Sequence, residues 1–541
     1  MSNSNDMLKI INRLVLLSCF ASLAACDKDF EKINKNPYGV ISIDPALLFA
    51  GAQRNHIGTW NAEHIIVQQF IVPYNTGANA GFSFYVDIDG NSLTKWDQSY
   101  ANAGNATLTN GNAPPVKNLT QALNLLGPNT PRINLQSIIR IWKAQLFMGL
   151  VDNYGDVPYS EAGKAVSDGK FFPKYDDDAA IYDDLYKELK ESIAALNPSG
   201  EFVSADLFYG ANAQPSTKTS NAADHVAKWK KLGNSLLLRL GMRYSKLNPT
   251  KAADIVAEAF AGGVMTSNAD NAFVKNDGTV FAQQDNLALR NFSQFHYAAE
   301  PFVNQLKSTS DPRARFMIAQ YADPGAIASN LTPDITLANQ YGVPIGVTSD
   351  QILAPGSPYR GARGSGLNYS QFNVNIIAAP GVPEFWVTYA QTSLLLAEAA
   401  KRGWIAGGDA QAKIYYDNAI TADMEAYSLY TGTTPISAGE IAAYLTHPNV
   451  IYTPANALNL INTQYWIVNI RNGTEAFANF RRTGLPALTP NPVPGALGSV
   501  GFARRLSYPD LEASANTANY NEAAAAIGGD KLSSRVFWDT P

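Results

Sequence analysis

The sequence predicts a mainly α-helical fold, in which a lobe of paired helices is interleaved with a lobe rich in long loops. Three observations support this prediction. Apolar residues recur at helical spacings of three and four over long stretches of the 541-residue chain. Strong helix formers and small residues fill these stretches, and Pro or Gly follows several of them. Between them lie long segments rich in Gly, Pro, Asn and aromatic residues, and loops this long are usually functional or packed on their own side chains.

The N-terminal residues have the pattern of a secretion signal. Lys9 and Arg13 flank the start of an apolar stretch over residues 14–25, which is too short to span a membrane as a helix. The end of this stretch, "LAAC", resembles a bacterial lipobox, in which the cysteine is diacylated and becomes the first residue after cleavage. We therefore expect residues 1–25 to be a lipoprotein signal peptide and Cys26 to be the lipidation site.

Cys26 has no thiol partner in this interpretation. The chain contains two cysteines, and Cys19 would leave with the signal peptide, so disulfide, zinc-thiolate and thiol chemistry are excluded together. The acidic residues after Cys26, within "DKDFE", resemble the surface-export signal of Bacteroidetes lipoproteins. We expect residues 26–45 to be an extended lead-in from the lipid anchor. Since no clear linker divides the remainder, residues 46–541 are expected to form one large domain.

Helical periodicity dominates the body of the chain. In the segment 178–196, Asp176 and Asp177 can cap the start, and Pro198 follows the end. Pairs of such segments with short turns between them suggest α-hairpins stacked as in TPR-like arrays, although the irregular period does not establish such an array. The predicted helices cover residues 134–151, 178–196, 225–246, 250–261, 297–308, 384–402, 409–427 and 455–471.

The stretches between these helices are expected to form the loop-rich lobe. These long irregular stretches are residues 72–93, 196–222, 264–293, 322–383 and 485–505.

Composition also limits the function of the chain. The net charge is −5 without any basic tract, which argues against nucleic-acid binding. No run of 18 apolar residues follows the first thirty positions, so the body is not a helical membrane protein.

Catalytic motifs are absent from the sequence. Its five histidines form no HExxH pattern, and there is no GxSxG, Walker or GxGxxG motif. Carboxylate pairs of the kind that a glycosidase uses occur in nearly any chain of this length, and Asp176–Asp178 is better explained as a solvated helix start. The segment 87–91, "DIDGN", hints at a calcium loop, but its glycine comes two positions too early for an EF-hand. A structural calcium ion there is the one cofactor the sequence offers.

Several blocks of sequence together resemble a known family. They are "FEKINKNP" at 30–37 with 45–48, then 152–162, 228–240, 311–313, 396–403, 475–484, and 504–509 with 536–539. In this order, behind a lipobox, they resemble the SusD/RagB family of nutrient-binding outer-membrane lipoproteins, and more closely its SusD-like branch. Most of these residues are expected to serve the fold. Glu398 and Arg239 should form internal ion pairs, and Arg481 and Arg482 should pair with helix C-termini or with acids such as Glu475.

The resemblance implies a TPR-containing helical fold without catalytic activity. It also implies a place at the cell surface and a partner, a SusC-like TonB-dependent transporter on which the protein sits as a lid. The ligand in such a family is commonly a glycan and in some members a peptide. Two other functions remain open on sequence grounds: a surface hydrolase that uses a carboxylate pair, and a structural subunit of the transporter that binds no ligand.

The ligand site is expected in the loop-rich lobe. Sugar rings have apolar faces edged with hydroxyls, so a glycan site needs flat aromatic rings and groups such as Asn or Arg that hydrogen-bond. Three segments combine these residue types: 72–86, 291–297 and 355–372. The predicted ligand-binding residues are Tyr74, Asn75, Phe84, Tyr85, Asn291, Phe292, Tyr359 and Arg360. Tyr297 and Tyr369 lie in the same segments, and each aromatic could instead be a buried loop anchor.

Overall fold

The computed structural model describes residues 43–54, 60, 62–72, 89–100, 114–279, 281–291, 296–321, 332–347, 351, 369–492, 497 and 501–541. Residues 1–44 form one unit and residues 45–541 a second, which contains the elements described below. The predicted signal peptide, Cys26 and most of the lead-in lie outside the described residues. Within the described ranges, none of the helices has the length and apolar character that a membrane crossing requires.

The described residues form 19 α-helices and six short strands. The helices are α1 (Pro45–Gln53), α2 (Ala62–Ile66), α3 (Asp89–Tyr100), α4 (Pro115–Leu126), α5 (Ile133–Tyr154), α6 (Ala165–Asp168), α7 (Asp178–Ala195), α8 (Ala222–Arg243), α9 (Pro249–Gly262), α10 (Gln284–Asn291), α11 (Glu300–Ser308), α12 (Ala314–Met317), α13 (Tyr389–Lys401), α14 (Gly408–Ala426), α15 (Ala438–Leu445), α16 (Ala457–Val468), α17 (Gly473–Thr483), α18 (Asp510–Ala515) and α19 (Thr517–Ala526). The strands are β1 (Phe70–Ile71), β2 (Ala272–Lys275), β3 (Tyr297–Ala298), β4 (Ile318–Ala319), β5 (Gln371–Phe372) and β6 (Pro383–Val387).

Helical hairpins form the scaffold, which confirms the predicted mainly helical, TPR-like architecture. The packed pairs are α5 with α7, α8 with α9, α13 with α14, and α16 with α17. Small residues allow the close approach within a pair. Gly241 of α8 illustrates this, because a Cβ there would lie 2.8 Å from a methyl of Ile255 in α9. Ala397 of α13 and Ala412 of α14 are likewise fully buried between their helices.

Local signals at the helix ends agree with the sequence. Asp177 is the N-cap of α7 and accepts a hydrogen bond from the amide of Ala180 at 2.8 Å. The helix α5 ends at Tyr154, where Gly155 takes a positive φ of 77° that a larger residue would adopt only with strain.

Two predicted helices begin later than their periodicity indicates. The segment 297–308 starts as β3, and α11 begins only at Glu300. The segment 384–402 starts as β6, and α13 begins at Tyr389. The β6 sequence "PEFWV" has aromatic and branched side chains that suit a pleated surface, and it pairs with β2. Thr388 then starts α13 with a capping box shared with Gln391.

The loop-rich lobe contains more regular structure than predicted. Helix α3 begins inside the stretch 72–93, and β2 and α10 lie inside the stretch 264–293. The helices α3 and α10 have polar sequences with weak periodicity, and β2 is only four residues long. Residues 89–91 of the predicted calcium loop form the first turn of α3 instead of a loop. Residues 87 and 88 lie outside the described residues, so the calcium ion stays a prediction.

A buried ion network joins the hairpins at their centre. The fully buried guanidinium of Arg243 in α8 donates to Asp152 of α5 at 3.1 Å and to Glu475 of α17 at 2.7 Å. Glu475 also accepts from Tyr465 of α16 at 2.7 Å, and its carboxylate lies 3.4 Å from Arg239. Burial alone would raise the pKa of Glu475, but the charges of Arg239 and Arg243 reverse that effect and hold the pKa below its ordinary value.

A second buried network ties α13 to α17. Both nitrogens Nη1 and Nη2 of Arg482 donate to Glu398 at 2.7 Å, and Nη2 also donates to Asn479 at 2.6 Å. Burial opposes ionisation of Glu398, yet Arg482 and Arg402 lower its pKa to about 2. The predicted internal ion pairs of Arg239 and Glu398 are therefore confirmed. Arg481 binds the backbone carbonyl of Asp152 near the end of α5, as predicted, whereas Glu475 pairs with the arginines of α8.

Replacing Arg243 by Met tests the central network. The substitution keeps much of the side-chain volume but leaves two buried carboxylates without this partner. We expect the free energy of unfolding to fall by about 3–5 kcal/mol, or folded protein not to accumulate. Urea denaturation followed by circular dichroism measures the change.

The matched control is Lys190→Met, which removes an ion pair with Glu258 at the surface, where both side chains are about 40% exposed. Its expected loss is below about 1 kcal/mol. Similar losses for the two variants would contradict a central role for the buried network.

Candidate ligand-binding edge

Four short strands meet beside the helical scaffold. β1 pairs antiparallel with β3, so that Ile71 lies opposite Tyr297. The amide of Ala298 in β3 donates to the carbonyl of Ser370, just before β5, at 2.9 Å. β5 pairs antiparallel with β4, which places Ala319 opposite Gln371.

The strand directions bring four chain ends to one edge. The segment 73–88 continues from Val72 and the segment 292–295 leads into His296; these ends are adjacent because β1 and β3 are antiparallel. The segment 352–368 leads into Tyr369, whose ring centroid lies 6.5 Å from that of Tyr297. Tyr321, two residues beyond the end of β4, lies at the same end of the β4–β5 pair as Tyr369, two residues before β5. We call Val72, His296, Tyr321 and Tyr369 the loop edge.

The predicted ligand-binding residues belong to the segments that continue from this edge. Tyr74, Asn75, Phe84, Tyr85, Phe292, Tyr359 and Arg360 lie outside the described residues, and Asn291 is the last residue of α10, with a side chain that is likewise not described. What the structure adds is that the described ends of the three predicted segments lie together, although up to 300 residues separate them in sequence.

Tyr297 and Tyr369 are buried anchors of these segments. Their side chains are 1% and 3% exposed and pack with Ile71, Val343 and Val347 in one apolar cluster. Neither ring offers a free face to a ligand in this conformation, so for these two residues the alternative of a buried loop anchor is the one that the structure bears out. Their burial fixes the ends of two segments against each other.

An aromatic cluster, which sequence reasoning missed, underlies the loop edge. Trp60 packs on Phe372 with ring centroids 4.0 Å apart, and Phe70 stacks nearly parallel to His296 at 5.5 Å. Trp60 has a positive φ of 60° and is held by a hydrogen bond of 2.7 Å from its Nε1 to Asn286. His296 is the half-buried member of the four. Single aromatic residues that far apart carry no local sequence pattern, so only the fold reveals the cluster.

The scaffold holds the loop edge through specific bonds to the chain around β1. Nε1 of Trp466 in α16 donates to the carbonyl of Val67 at 2.9 Å, and Nε2 of Gln69 donates back to the carbonyl of Trp466 at 2.6 Å. Trp466 also packs edge-on against Phe302 of α11, which follows β3 directly. Both strands of the pair β1–β3 are therefore fixed to the same helix.

Helix α2 supplies a further connection between scaffold and edge. Its buried Glu63 accepts from Asn153 of α5 at 2.7 Å and from Thr474 of α17 at 3.2 Å. Burial raises the pKa of Glu63 and lowers the pKa of its neighbour His64 to about 3. His64 is therefore neutral at physiological pH and fully buried, which suits a structural role better than catalysis or metal binding.

Three carboxylates lie close enough together to share a cation. They belong to Asp156, Asp177 and Asp178, and their oxygens approach within 4.8 Å of one another. Each has a local structural role: Asp177 caps α7, Asp156 accepts the amide of Asp178, and Asp178 accepts the amide of Phe537. The predicted solvated helix start is correct for Asp177, which is exposed, but wrong for Asp178, which is buried.

The architecture is that of a binding protein, in which a helical-hairpin scaffold holds several long segments at one edge. A family described as starch-binding and associating with the outer membrane, SusD-like, matches residues 39–509. The chain therefore belongs to the SusD-like family, whose members are binding proteins rather than enzymes. Membership confirms the resemblance noted from the sequence blocks and the prediction that the chain is not an enzyme. No curated protein matches the chain at a significant level.

Solved structures share the fold. A chitin-binding protein is 26% identical with a TM-score of 0.72, and the match covers 92% of this chain and all of that one. A SusD-like protein from Bacteroidetes matches equally well in fold at 23% identity, again over 92% of this chain and all of that one. A SusD homologue from Bacteroides fragilis matches over the same shares at 20% identity with a TM-score of 0.68.

The buried carboxylate of Asp178 predicts a pH-dependent stability. Burial raises its pKa to about 7, and the charges of Asp156 and Asp177 add to the shift. Because the folded pKa exceeds the unfolded one, ionisation opposes folding; this cost is absent below about pH 4 and complete above about pH 7. Asp178→Asn cannot ionise and keeps an oxygen for the Phe537 amide. We expect its stability relative to wild type to be about 1–3 kcal/mol greater at pH 8 than at pH 5.

Urea denaturation at the two pH values measures this difference. Asp168→Asn in the exposed helix α6 is the control, with no change in relative stability expected between the two values. A relative stability of Asp178→Asn that is the same at both pH values would contradict the burial argument.

Proposed function

We propose that this protein is a cell-surface lipoprotein that binds nutrient glycans and delivers them to a SusC-like TonB-dependent transporter, on which it sits as a lid. The observation that carries the proposal is the loop edge, where a rigid scaffold gathers the ends of the three segments richest in aromatic, amide and guanidinium side chains. Family membership supports the placement at the outer membrane.

A glycan is favoured over a peptide as the ligand. The family description names starch, and a solved relative at 26% identity is named for binding chitin. The predicted residues Tyr74, Tyr85 and Tyr359 would stack on sugar faces, while Asn75 and Arg360 would bond to hydroxyls. The lipid on Cys26 would hold the protein at the membrane, and the transporter would take up the ligand on closure of the lid.

A glycan panel tests the proposal. The mature protein is incubated with starch-derived and chitin-derived oligosaccharides and, separately, with mixed oligopeptides. We expect at least one glycan to raise the melting temperature, because it binds the folded state alone, with no cleaved product by chromatography. Released product would overturn the binding role, and a shift with peptides alone would overturn the glycan assignment.

Aromatic variants then locate the site. The double variant Tyr85→Ala/Tyr359→Ala should weaken glycan binding about tenfold or more, since each stacked ring contributes about 0.5–1.5 kcal/mol beyond its buried area. Phe171→Ala is the matched control, because this ring is 71% exposed on the connection between α6 and α7. An unchanged affinity in the double variant would contradict the predicted site.

Lipid attachment is tested with the two cysteines. Cys26→Ala should abolish incorporation of a palmitate analogue in the native host and release the protein from the outer-membrane fraction. Cys19→Ala is the matched control and should leave both unchanged, because that residue is removed with the signal peptide. Labelling that survives in Cys26→Ala would contradict the anchor.

A further inference from the structure

Arg471 is a buried cation that has no carboxylate partner among the residues that the structure describes. It lies between α16 and α17, and its side chain is 8% exposed. Nη1 donates to the carbonyl of Pro383 at 2.6 Å, and the guanidinium also contacts the phenol of Tyr430, whereas Nε and Nη2 are shielded from solvent without a hydrogen-bond partner of good geometry. The buried Arg243, Arg313 and Arg482 each bond a carboxylate directly. Since an unpaired buried charge is strongly unfavourable, the site requires a compensating group.

A small cavity adjoins Arg471. Its volume is about 40 Å³, and it lies between β6, α14 and the turn that precedes α17. Arg471 lines it together with the rings of Phe385, Tyr427 and Tyr430, and the carboxamides of Asn268, Asn271 and Asn472 complete the wall. Aromatic edges, phenol hydroxyls and a guanidinium all present positive charge or hydrogen-bond donors.

The size of the cavity limits its occupant. A cavity of about 150 Å³ holds a benzene-sized molecule, and a water molecule takes about 30 Å³ in the liquid. At about 40 Å³, the cavity is too small for a sugar ring or an amino acid. It fits a single small ion or one to two waters, so it is distinct from a nutrient site at the loop edge.

The charges around the cavity favour an anion at its Arg471 end. Burial raises the pKa of Tyr430, and the charge of Arg471 opposes that shift, which shows that the guanidinium acts on this wall. Among the described lining residues the one acid is Asp423, whose carboxylate is bound to Arg313 at 2.7 Å rather than to Arg471. Asp423 also adds to the raised pKa of Tyr427, whose ring stacks on that of Tyr430 with centroids 5.3 Å apart.

We propose that this cavity binds one small monovalent anion, such as chloride, against the guanidinium of Arg471. The anion supplies the negative charge that Arg471 lacks, and the phenols of Tyr427 and Tyr430 donate to it from the sides. It thereby links the turn between α16 and α17 to β6 and α14, which stabilises the folded state whether or not a nutrient is bound.

Bromide replacement tests the site directly. Crystals of the mature protein are soaked in sodium bromide, and anomalous scattering is recorded at the bromine edge. We expect a peak inside the cavity within hydrogen-bonding reach of Nε or Nη2 of Arg471. Bromide peaks at the surface alone, with only water in the cavity, would overturn the proposal.

Melting in matched salts tests the same site in solution. Wild type should melt about 1–2 °C higher in sodium chloride than in sodium gluconate at equal ionic strength, because only the smaller anion fits. Arg471→Met should lose this difference. The control Arg315→Met removes a surface ion pair with Glu440 and should keep it. An equal chloride effect in Arg471→Met would overturn the proposal. If that variant does not fold, the bromide experiment alone tests whether the cavity binds an anion.

Discussion

The pairing of Arg243 with Asp152 and Glu475 is the constraint on which the rest of the structure depends. A buried guanidinium and two buried carboxylates are tolerated only when their charges and hydrogen-bonding groups meet. That requirement fixes α8 against α5 and α17 at one point, and the hydroxyl of Tyr465 extends it to α16. Apolar packing would allow these helices to slide by a fraction of a turn, whereas the network accepts one register.

The same helices also hold the loop edge in place. Glu63 of α2 is held by Asn153 and Thr474, neighbours of the two carboxylates in the network. Trp466 of α16 then fixes the chain before β1 and packs on α11 after β3. A binding site assembled from long loops needs such support, since loops alone lose conformational entropy when they bind. The scaffold reduces that loss by fixing the loop ends.

Much of the scaffold could be predicted from the sequence, because helices are encoded locally. Apolar spacing located α7, α8, α9 and α14 to within a few residues, and Asp177 and Gly155 marked helix ends through their own chemistry. The small strands could not be predicted, since β1, β3, β4 and β5 are two residues long and Phe70 of β1 pairs with Ala298 of β3, 228 positions away. Trp60, Phe70 and Phe372 meet only through that pairing, so the aromatic cluster had no sequence signal. Asp178 was misjudged because its burial depends on Phe537 at the far end of the chain.

The central claim is that a rigid helical scaffold presents a ligand site at the loop edge. Hydrogen–deuterium exchange of the mature protein, with and without a bound oligosaccharide, tests it most directly. The account predicts slower exchange in the segments that adjoin the edge, residues 72–88, 292–297 and 352–369, and unchanged exchange in α5 and α8. Protection confined to the scaffold helices, with the loop-edge segments unaffected by a saturating ligand, would contradict it.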